Sequence, residues 1–188
     1  SWGHAVSADL LDWAELPLAL AVEKDAKGDI TQMFFSGSVV VDHANTSGLG
    51  QPGNPAMIAL YTAVLPQGLK HLPASTQAQS LAYSLDRGRS WAQHPGNPVI
   101  KLPPGQYAGE YRDFRDPKLF WYEPGKKWVM ALVLPNLHKA LFYSSRNLLD
   151  WEYMSEFGPA GAVGGIWECP DLIELPVDVF ERRAIAGE

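Results

Sequence analysis

The chain has 188 residues, a formal net charge of −6 and 46% hydrophobic residues, which together exclude an intrinsically disordered chain. No cluster of Lys and Arg alternates with aromatic residues, so we expect no nucleic-acid partner. The longest apolar runs, such as residues 128–134, are too short to span a bilayer, so we expect no membrane partner. The single cysteine, Cys169, excludes an internal disulfide.

The composition predicts an all-β protein with many short strands. Seven Trp, seven Tyr and seven Phe favour strands, and 17 Gly with 15 Pro favour frequent turns. No helix longer than a turn or two is predicted, and we place no domain boundary inside the chain. Residues 65–80 and 96–112, rich in Pro, Gly, Gln and Ser, are predicted as long surface connections. The predicted strands cover residues 34–41, 56–64, 118–122 and 127–134, with a hairpin turn at 123–126.

Three segments repeat one pattern: residues 5–13, 82–91 and 142–151. In each, an apolar strand end meets a Ser, a polar turn follows, and a Trp starts the next strand. The three Trp residues are 78 and 60 positions apart, at 13, 91 and 151, which suits four-stranded units with generous loops. The middle segment resembles the Asp-box turn of sialidases, which is structural far more often than catalytic. The repeat predicts part of a β-propeller: the end of blade 1, blades 2 and 3, and the opening strand of blade 4.

Two short blocks, residues 114–117 and 167–170, each place one carboxylate where a strand is predicted to begin. Asp116 and Glu168 are 52 positions apart in similar units, which favours a site assembled across repeats. Paired carboxylates cleave glycosidic bonds, and the neighbouring aromatic residues suit a sugar. A structural interpretation stays open beside this one, because either carboxylate could cap turn amides or pair with Arg115.

Other motifs predict no cofactor. Five scattered histidines lack metal-ligand spacing, so we expect no metal site. Residues 48–53 match a dinucleotide-binding pattern by letters, but Asn54 and Pro55 follow where a helix is needed. Residues 45–47 form a glycosylation sequon, which matters only in a secretory eukaryote.

Five motifs, read in order, resemble those of glycoside hydrolase family 32, the invertases, inulinases and levanases. The likeness runs to about residue 178, and residues 79–84 and 127–130 resemble the exo-acting levanase and inulinase branch of bacteria and fungi. The matching motifs are Trp2–Ser7, Phe35–Ser38, Asn45–Gly48, Arg115–Pro117 and Trp167–Asp171.

The resemblance implies a five-bladed propeller with a funnel-shaped active site, usually followed by a β-sandwich domain. Residues 1–188 would then form an incomplete catalytic propeller without that sandwich. It also implies retaining hydrolysis of terminal β-D-fructofuranosyl residues, with levan, inulin or sucrose as the substrate partner and no cofactor. Oligomeric state and compartment stay open; an extracellular or periplasmic location fits an enzyme that degrades polymers.

The resemblance also assigns roles residue by residue. Glu168 matches the general acid/base, and Asp116 matches the carboxylate that stabilises the transition state. The residues matched to substrate binding are Arg115, Trp2, Phe35 and Ser36. Trp167 and Cys169 match the neighbours of the acid/base.

The chain departs from the family pattern in two places. The family nucleophile is an Asp in a Trp-Met-Asn-Asp-Pro-Asn-Gly block, and no such block occurs here. We therefore expect the 188-residue piece alone to be inactive. Residues 179–183 replace an expected Gly-rich continuation. Two alternatives remain: a related propeller glycosidase of different specificity, and a non-catalytic sugar-binding propeller.

Overall fold

The computed structural model describes residues 1–69 and 71–175, so the departure at 179–183 lies outside it. Within these residues the chain is almost entirely strand and loop, with three short 3₁₀ helices at Gly105–Glu110, Glu123–Gly125 and Pro135–Leu137. None of the described helices is long or apolar enough to cross a bilayer. The strands are β1 (Ala5–Ser7), β2 (Trp13–Glu15), β3 (Glu23–Lys24), β4 (Ile30–Val41), β5 (Met57–Leu65), β6 (Thr76–Ser84), β7 (Ala92–Gln93), β8 (Arg115–Tyr122), β9 (Lys127–Leu134), β10 (Lys139–Ser145) and β11 (Glu152–Phe157).

The strands form three antiparallel sheets that correspond to successive propeller blades. Blade 1 contributes the hairpin β1–β2, blade 2 has the strand order β3-β4-β5-β6-β7, and blade 3 has the order β8-β9-β10-β11. Each whole blade is a meander, in which every strand pairs with the next along the chain. This arrangement confirms the predicted partial five-bladed propeller, with the short β3 as an addition at the edge of blade 2.

The core lies between blades 2 and 3. Strands β5 and β9 read as nearly continuous apolar runs because both of their faces are covered. Burying each large aliphatic side chain contributes about 1.5–3 kcal/mol, so this interface carries much of the stability. Among its fully buried side chains are Ile58, Leu60, Leu81, Met130, Leu132 and Leu141.

The repeated turn is a hydrogen-bonded unit. In each copy the Ser hydroxyl donates to the Asp or Asn two residues later, whose side chain in turn accepts backbone N–H groups. The indole N–H of the closing Trp donates to the carbonyl three residues before it. The Ser-to-acceptor pairs are Ser7–Asp9 at 3.0 Å, Ser84–Asp86 at 2.7 Å and Ser145–Asn147 at 3.1 Å.

Two predictions about strands are wrong. No strand opens at residues 167–170, because the described segment 158–175 forms no ladder with another strand; the N–H of Trp167 makes one backbone hydrogen bond there, to Pro135 at 3.3 Å. The surface connection predicted for residues 65–80 ends early, since Thr76–Ser80 belong to the buried strand β6. Their polar side chains resemble a loop in sequence, yet they lie inside the protein with hydrogen-bond partners.

Candidate active site

Asp116 lies where β8 begins, at an irregularity in its pairing with β9. The register shifts between Arg115 and Lys118, and Asp116 takes a left-handed conformation with φ of 63°. Such a conformation is uncommon for a residue other than glycine, and it clusters at functional sites. The side chain is 5% exposed, so its carboxylate is largely withdrawn from water.

The block 167–170 reaches Asp116 from the loop that follows β11. The backbone N–H of Cys169 donates to Asp116 Oδ2 at 2.9 Å, and Cys169 is also left-handed, with φ of 49°. Because Glu168 directly precedes Cys169, the two acidic motifs meet at one place. The structure therefore brings together the two acidic motifs that the sequence singled out, one from a strand and the other from a loop.

Arg115 connects the two motifs by charge. Its Nη1 donates to Asp113 at 2.8 Å, and its Nη2 and Nε donate to Glu168 Oε1 at 3.1 and 3.3 Å. Burial acts to lower the pKa of Arg115, but hydrogen bonds and charges from Asp113 and Glu168 outweigh it and raise the pKa. Arg115 is 11% exposed while Glu168 is 52% exposed, so the pair sits at the boundary between protein and solvent.

A cleft of about 200 Å³ opens beside these groups. Its volume is below the ~300–1,000 Å³ of sites for drug-sized ligands, which suits a small polar unit. An ion pair between Lys118 and Asp171, 3.0 Å apart, lies at its edge. The residues that line the cleft are Ser36, Gly37, Asp116, Pro117, Lys118, Cys169, Pro170 and Asp171.

Phe35 and Ser36 enter this region from β4 in blade 2. The pairing of β4 with β5 shifts between Phe34 and Gly37, so the bulge turns Phe35 outward, where it is 40% exposed. The Ser36 hydroxyl acts to lower the pKa of the Cys169 thiol. Burial and the charge of Asp116 act in the opposite direction and prevail, so the pKa of the thiol is raised.

Five of the predicted residues lie outside the cleft lining: Arg115, Glu168, Phe35, Trp2 and Trp167. Trp2 lines a neighbouring cleft, and its indole N–H donates to the backbone carbonyl of Phe35 at 2.8 Å. Trp167 stacks on Phe157 with ring centroids 6.3 Å apart and donates its indole N–H to Ala162 at 3.0 Å. The Trp2 indole thus supports β4 at Phe35, and the Trp167 indole supports the loop that carries Glu168 and Cys169.

Sequence reasoning missed several polar side chains beneath the cleft. The Ser38 hydroxyl donates to the carbonyl of Pro117 and accepts from the N–H of Leu119, both at 2.9 Å. A second group, from β5 and β6, is formed by Thr62, Gln77 and Gln79. Ser38 and Thr62 lie in strands that the sequence predicted, whereas Gln77 and Gln79 alternate with Ala78 in a segment that we predicted as a surface connection.

Within the described residues, no three His, Cys, Asp or Glu side chains form a cluster fit to hold a metal ion. The groups present at the site are the carboxylates of Asp116 and Glu168 and the guanidinium of Arg115, together with the Ser36 hydroxyl, the Cys169 thiol and backbone groups.

Comparisons with known proteins agree with this geometry. Residues 1–186 match the family model described as the glycosyl hydrolases family 32 N-terminal domain. The extracellular exo-inulinase of Aspergillus awamori is 47% identical over 95% of this chain and 34% of its own length. The levanase of Bacillus subtilis is 50% identical over 94% of this chain and 23% of its own.

Solved structures give the same result. The crystal structure of the Aspergillus awamori exo-inulinase superposes with a TM-score of 0.89 at 46% identity, covering 95% of this chain and 35% of that one. The β-fructofuranosidase of Schwanniomyces occidentalis, complexed with fructosyl-erythritol, gives 0.78 at 36% identity, covering 95% and 31%. The chain thus spans about a third or less of the length of these relatives. The match to the family model, the topology of the blades and the order of the motifs together show that the chain belongs to glycosyl hydrolase family 32.

Proposed function

We propose that the complete protein hydrolyses terminal β-D-fructofuranosyl residues of fructans and sucrose, with retention of anomeric configuration. The observation that carries the proposal is the bond from the Cys169 N–H to Asp116 Oδ2, which joins the two acidic motifs in one cleft. Relatives with similar sequences are an exo-inulinase, a levanase and an invertase.

In this proposal Glu168 is the general acid and then the general base. Its carboxyl is half exposed beside the cleft, where a leaving oxygen and then a water can reach it. Arg115 holds one of its oxygens, which limits the rotamers of the side chain. Asp116 is the buried carboxylate that stabilises positive charge as the oxocarbenium-like state develops.

The remaining predicted residues shape the fructose subsite. Ser36 and Cys169 line the cleft, and Phe35 is exposed beside it. The Trp2 indole supports Phe35 by donating to the Phe35 backbone carbonyl. The family's nucleophile motif has no counterpart in these 188 residues, so the proposal assigns the nucleophile to none of them.

The test is an assay of the protein expressed from its complete gene. Levan, inulin and sucrose are incubated with it, beside arabinan and a sialoside, and the products are separated by chromatography. We expect fructose from the first three alone. Release of arabinose or sialic acid instead would identify a related propeller glycosidase, and binding of fructan without any cleavage would identify a sugar-binding protein.

Retention is tested separately. Proton NMR during the first turnovers should show β-fructofuranose before mutarotation mixes the anomers. An α-anomer as the first product would contradict the proposed mechanism while leaving the substrate assignment intact.

A further inference from the structure

We propose that Thr62 and Gln79 of blade 2 are positioning residues for the Asp116 carboxylate of blade 3. The expected effect on catalysis rests on the proposed function, but the hydrogen bonds described below do not depend on any reaction. Both side chains are fully buried, and neither touches the cleft.

The contacts form one continuous chain of hydrogen bonds. The N–H of Asp116 donates to Thr62 Oγ1 at 3.0 Å, and the Thr62 hydroxyl donates to Gln79 Oε1 at 2.8 Å. Gln79 Nε2 donates to the carbonyl of Phe114 at 2.8 Å. Beside it, Gln77 Oε1 accepts from the N–H of Phe114 at 3.1 Å. Residues 114–116 are thus held from below by side chains of a different blade.

These hydrogen bonds replace the ladder hydrogen bond that the irregularity in β8 takes from Asp116. Because the register with β9 shifts between Arg115 and Lys118, the N–H of Asp116 has no ladder partner, and a buried N–H needs one. Thr62 supplies the acceptor at the residue with a left-handed backbone. Holding that backbone also sets the direction of the Asp116 side chain, because a left-handed residue points its Cβ differently from an extended one.

The donor and acceptor directions of the Thr62 and Gln79 hydrogen bonds are determined by their partners. The Gln79 amide has its oxygen toward Thr62 and its nitrogen toward Phe114, so the Thr62 hydroxyl proton must point at Gln79. The Thr62 oxygen can then accept the hydrogen bond from the N–H of Asp116. On the other side of Asp116, the Cys169 N–H binds the carboxylate. Asp116 is therefore fixed through its backbone by blade 2 and through its side chain by the loop.

The test uses the complete protein with Thr62→Val, which keeps the shape and removes the hydroxyl, and Thr62→Ser, which keeps the hydroxyl. Thr76→Val is the matched control, because Thr76 is also buried on blade 2 and donates one hydroxyl hydrogen bond, to Pro73 at 2.7 Å. Gln79→Met removes the next member of the chain. All variants are compared by unfolding midpoint, kcat and KM on sucrose, and the alkylation rate of Cys169 followed on its peptide by mass spectrometry.

We expect Thr62→Val to lower kcat about 10–10²-fold, with KM changed less than about threefold, because Asp116 acts mainly in the transition state. Gln79→Met should follow it in direction, and Thr62→Ser should recover most of the rate. Alkylation of Cys169 at about pH 8 should become faster in Thr62→Val, because a displaced Asp116 no longer raises the pKa of the thiol.

Equal losses of kcat in Thr62→Val and Thr76→Val, at similar unfolding midpoints, would overturn the inference, as would unchanged kcat in a folded Thr62→Val. If the wild-type protein releases no fructose, the proposed function fails, and the alkylation of Cys169 alone decides the inference. A faster rate in Thr62→Val than in Thr76→Val then supports the positioning geometry, and equal rates refute it.

Discussion

The N–H of Cys169 and the carboxylate of Asp116 are hydrogen-bonded at 2.9 Å, and both residues have positive φ angles, 49° and 63°. Each such conformation costs of order 1–3 kcal/mol outside glycine. Two of them facing each other across one bond indicate that this contact is maintained at the expense of stability. Four predictions test groups around this contact, and a fifth tests Asp42, which follows β4.

The first concerns Glu168, the proposed general acid and base. Glu168→Gln keeps the size and one acceptor but removes the transferable proton, so kcat should fall about 10²–10⁴-fold. The matched control is Glu152→Gln, an exposed residue in β11, which should leave kcat unchanged. Initial rates on sucrose measure both, and a fully active Glu168→Gln would end the assignment.

Asp116→Asn tests the buried carboxylate. The amide oxygen of Asn still accepts from the Cys169 N–H, so the local fold should persist while the negative charge is lost. We expect kcat to fall about 10²–10³-fold with a smaller change in KM. Asp150→Asn, on the distant turn after β10, serves as the control. A variant in which only KM rises would show that Asp116 binds the ground state instead.

Arg115→Lys tests the fork that binds Asp113 and Glu168. A lysine keeps the charge but cannot contact both carboxylates in one plane, so Glu168 should lose its fixed orientation. We expect kcat to fall by about 10-fold or more, since misaligned catalytic groups lose rate steeply. Arg112→Lys, an exposed neighbour that lies over the Tyr111 ring, should behave as wild type. The same steady-state assay measures both variants.

The thiol of Cys169 reports on its surroundings through its pH dependence. Burial, and then the charge of Asp116, raise its pKa, so its alkylation by iodoacetamide should have a midpoint above the ~8.5 of an ordinary thiol. Ser36→Ala should move the midpoint higher still, because the Ser36 hydroxyl stabilises the thiolate. Asp116→Asn should move it lower. The urea-denatured protein is the reference, and coincident native and denatured profiles would contradict the prediction.

Asp42 should contribute stability that depends on pH. Burial acts to raise the pKa of its carboxyl, but hydrogen bonds from the N–H and O–H groups of Thr46 and Ser47 outweigh it and lower the pKa. The stabilisation is thus complete above the unfolded value of about 3.9 and is lost as pH falls through the lower folded value. Asp42→Asn should cost about 1–3 kcal/mol at neutral pH.

The unfolding midpoint of wild type and Asp42→Asn, followed from neutral pH to about pH 3, measures this effect. The difference between the two proteins should narrow toward acid. Asp12→Asn, an exposed residue in the first turn, provides the control. A difference that stays constant across this range would show that shape, and not charge, is what Asp42 supplies.

The blade order and the pairing of acidic motifs could be predicted because both leave local marks. The Ser-to-Trp turns repeat, Asp116 directly precedes Pro117, and Glu168 stands two residues before Pro170. The support beneath the site could not be predicted in the same way. Thr62 and Gln79 act on residues 54 and 35 positions away, and only the face-to-face stacking of blades creates those contacts.

The missing strand at residues 167–170 has a similar cause. A strand needs an adjacent strand to hydrogen-bond with. The local sequence reveals an apolar run but does not reveal whether such a neighbouring strand is present. Trp167 directly precedes Glu168 in the sequence, but its contacts with Phe157 and Ala162 depend on the return path of the loop after β11.

Ser38 has a mechanical consequence. Its hydroxyl donates to the carbonyl of Pro117 and accepts from the N–H of Leu119, so one oxygen atom hydrogen-bonds β4 of blade 2 to β8 of blade 3. Rotation of blade 2 against blade 3 would have to break both of these hydrogen bonds, so Ser38 opposes such a rotation directly beneath the start of β8.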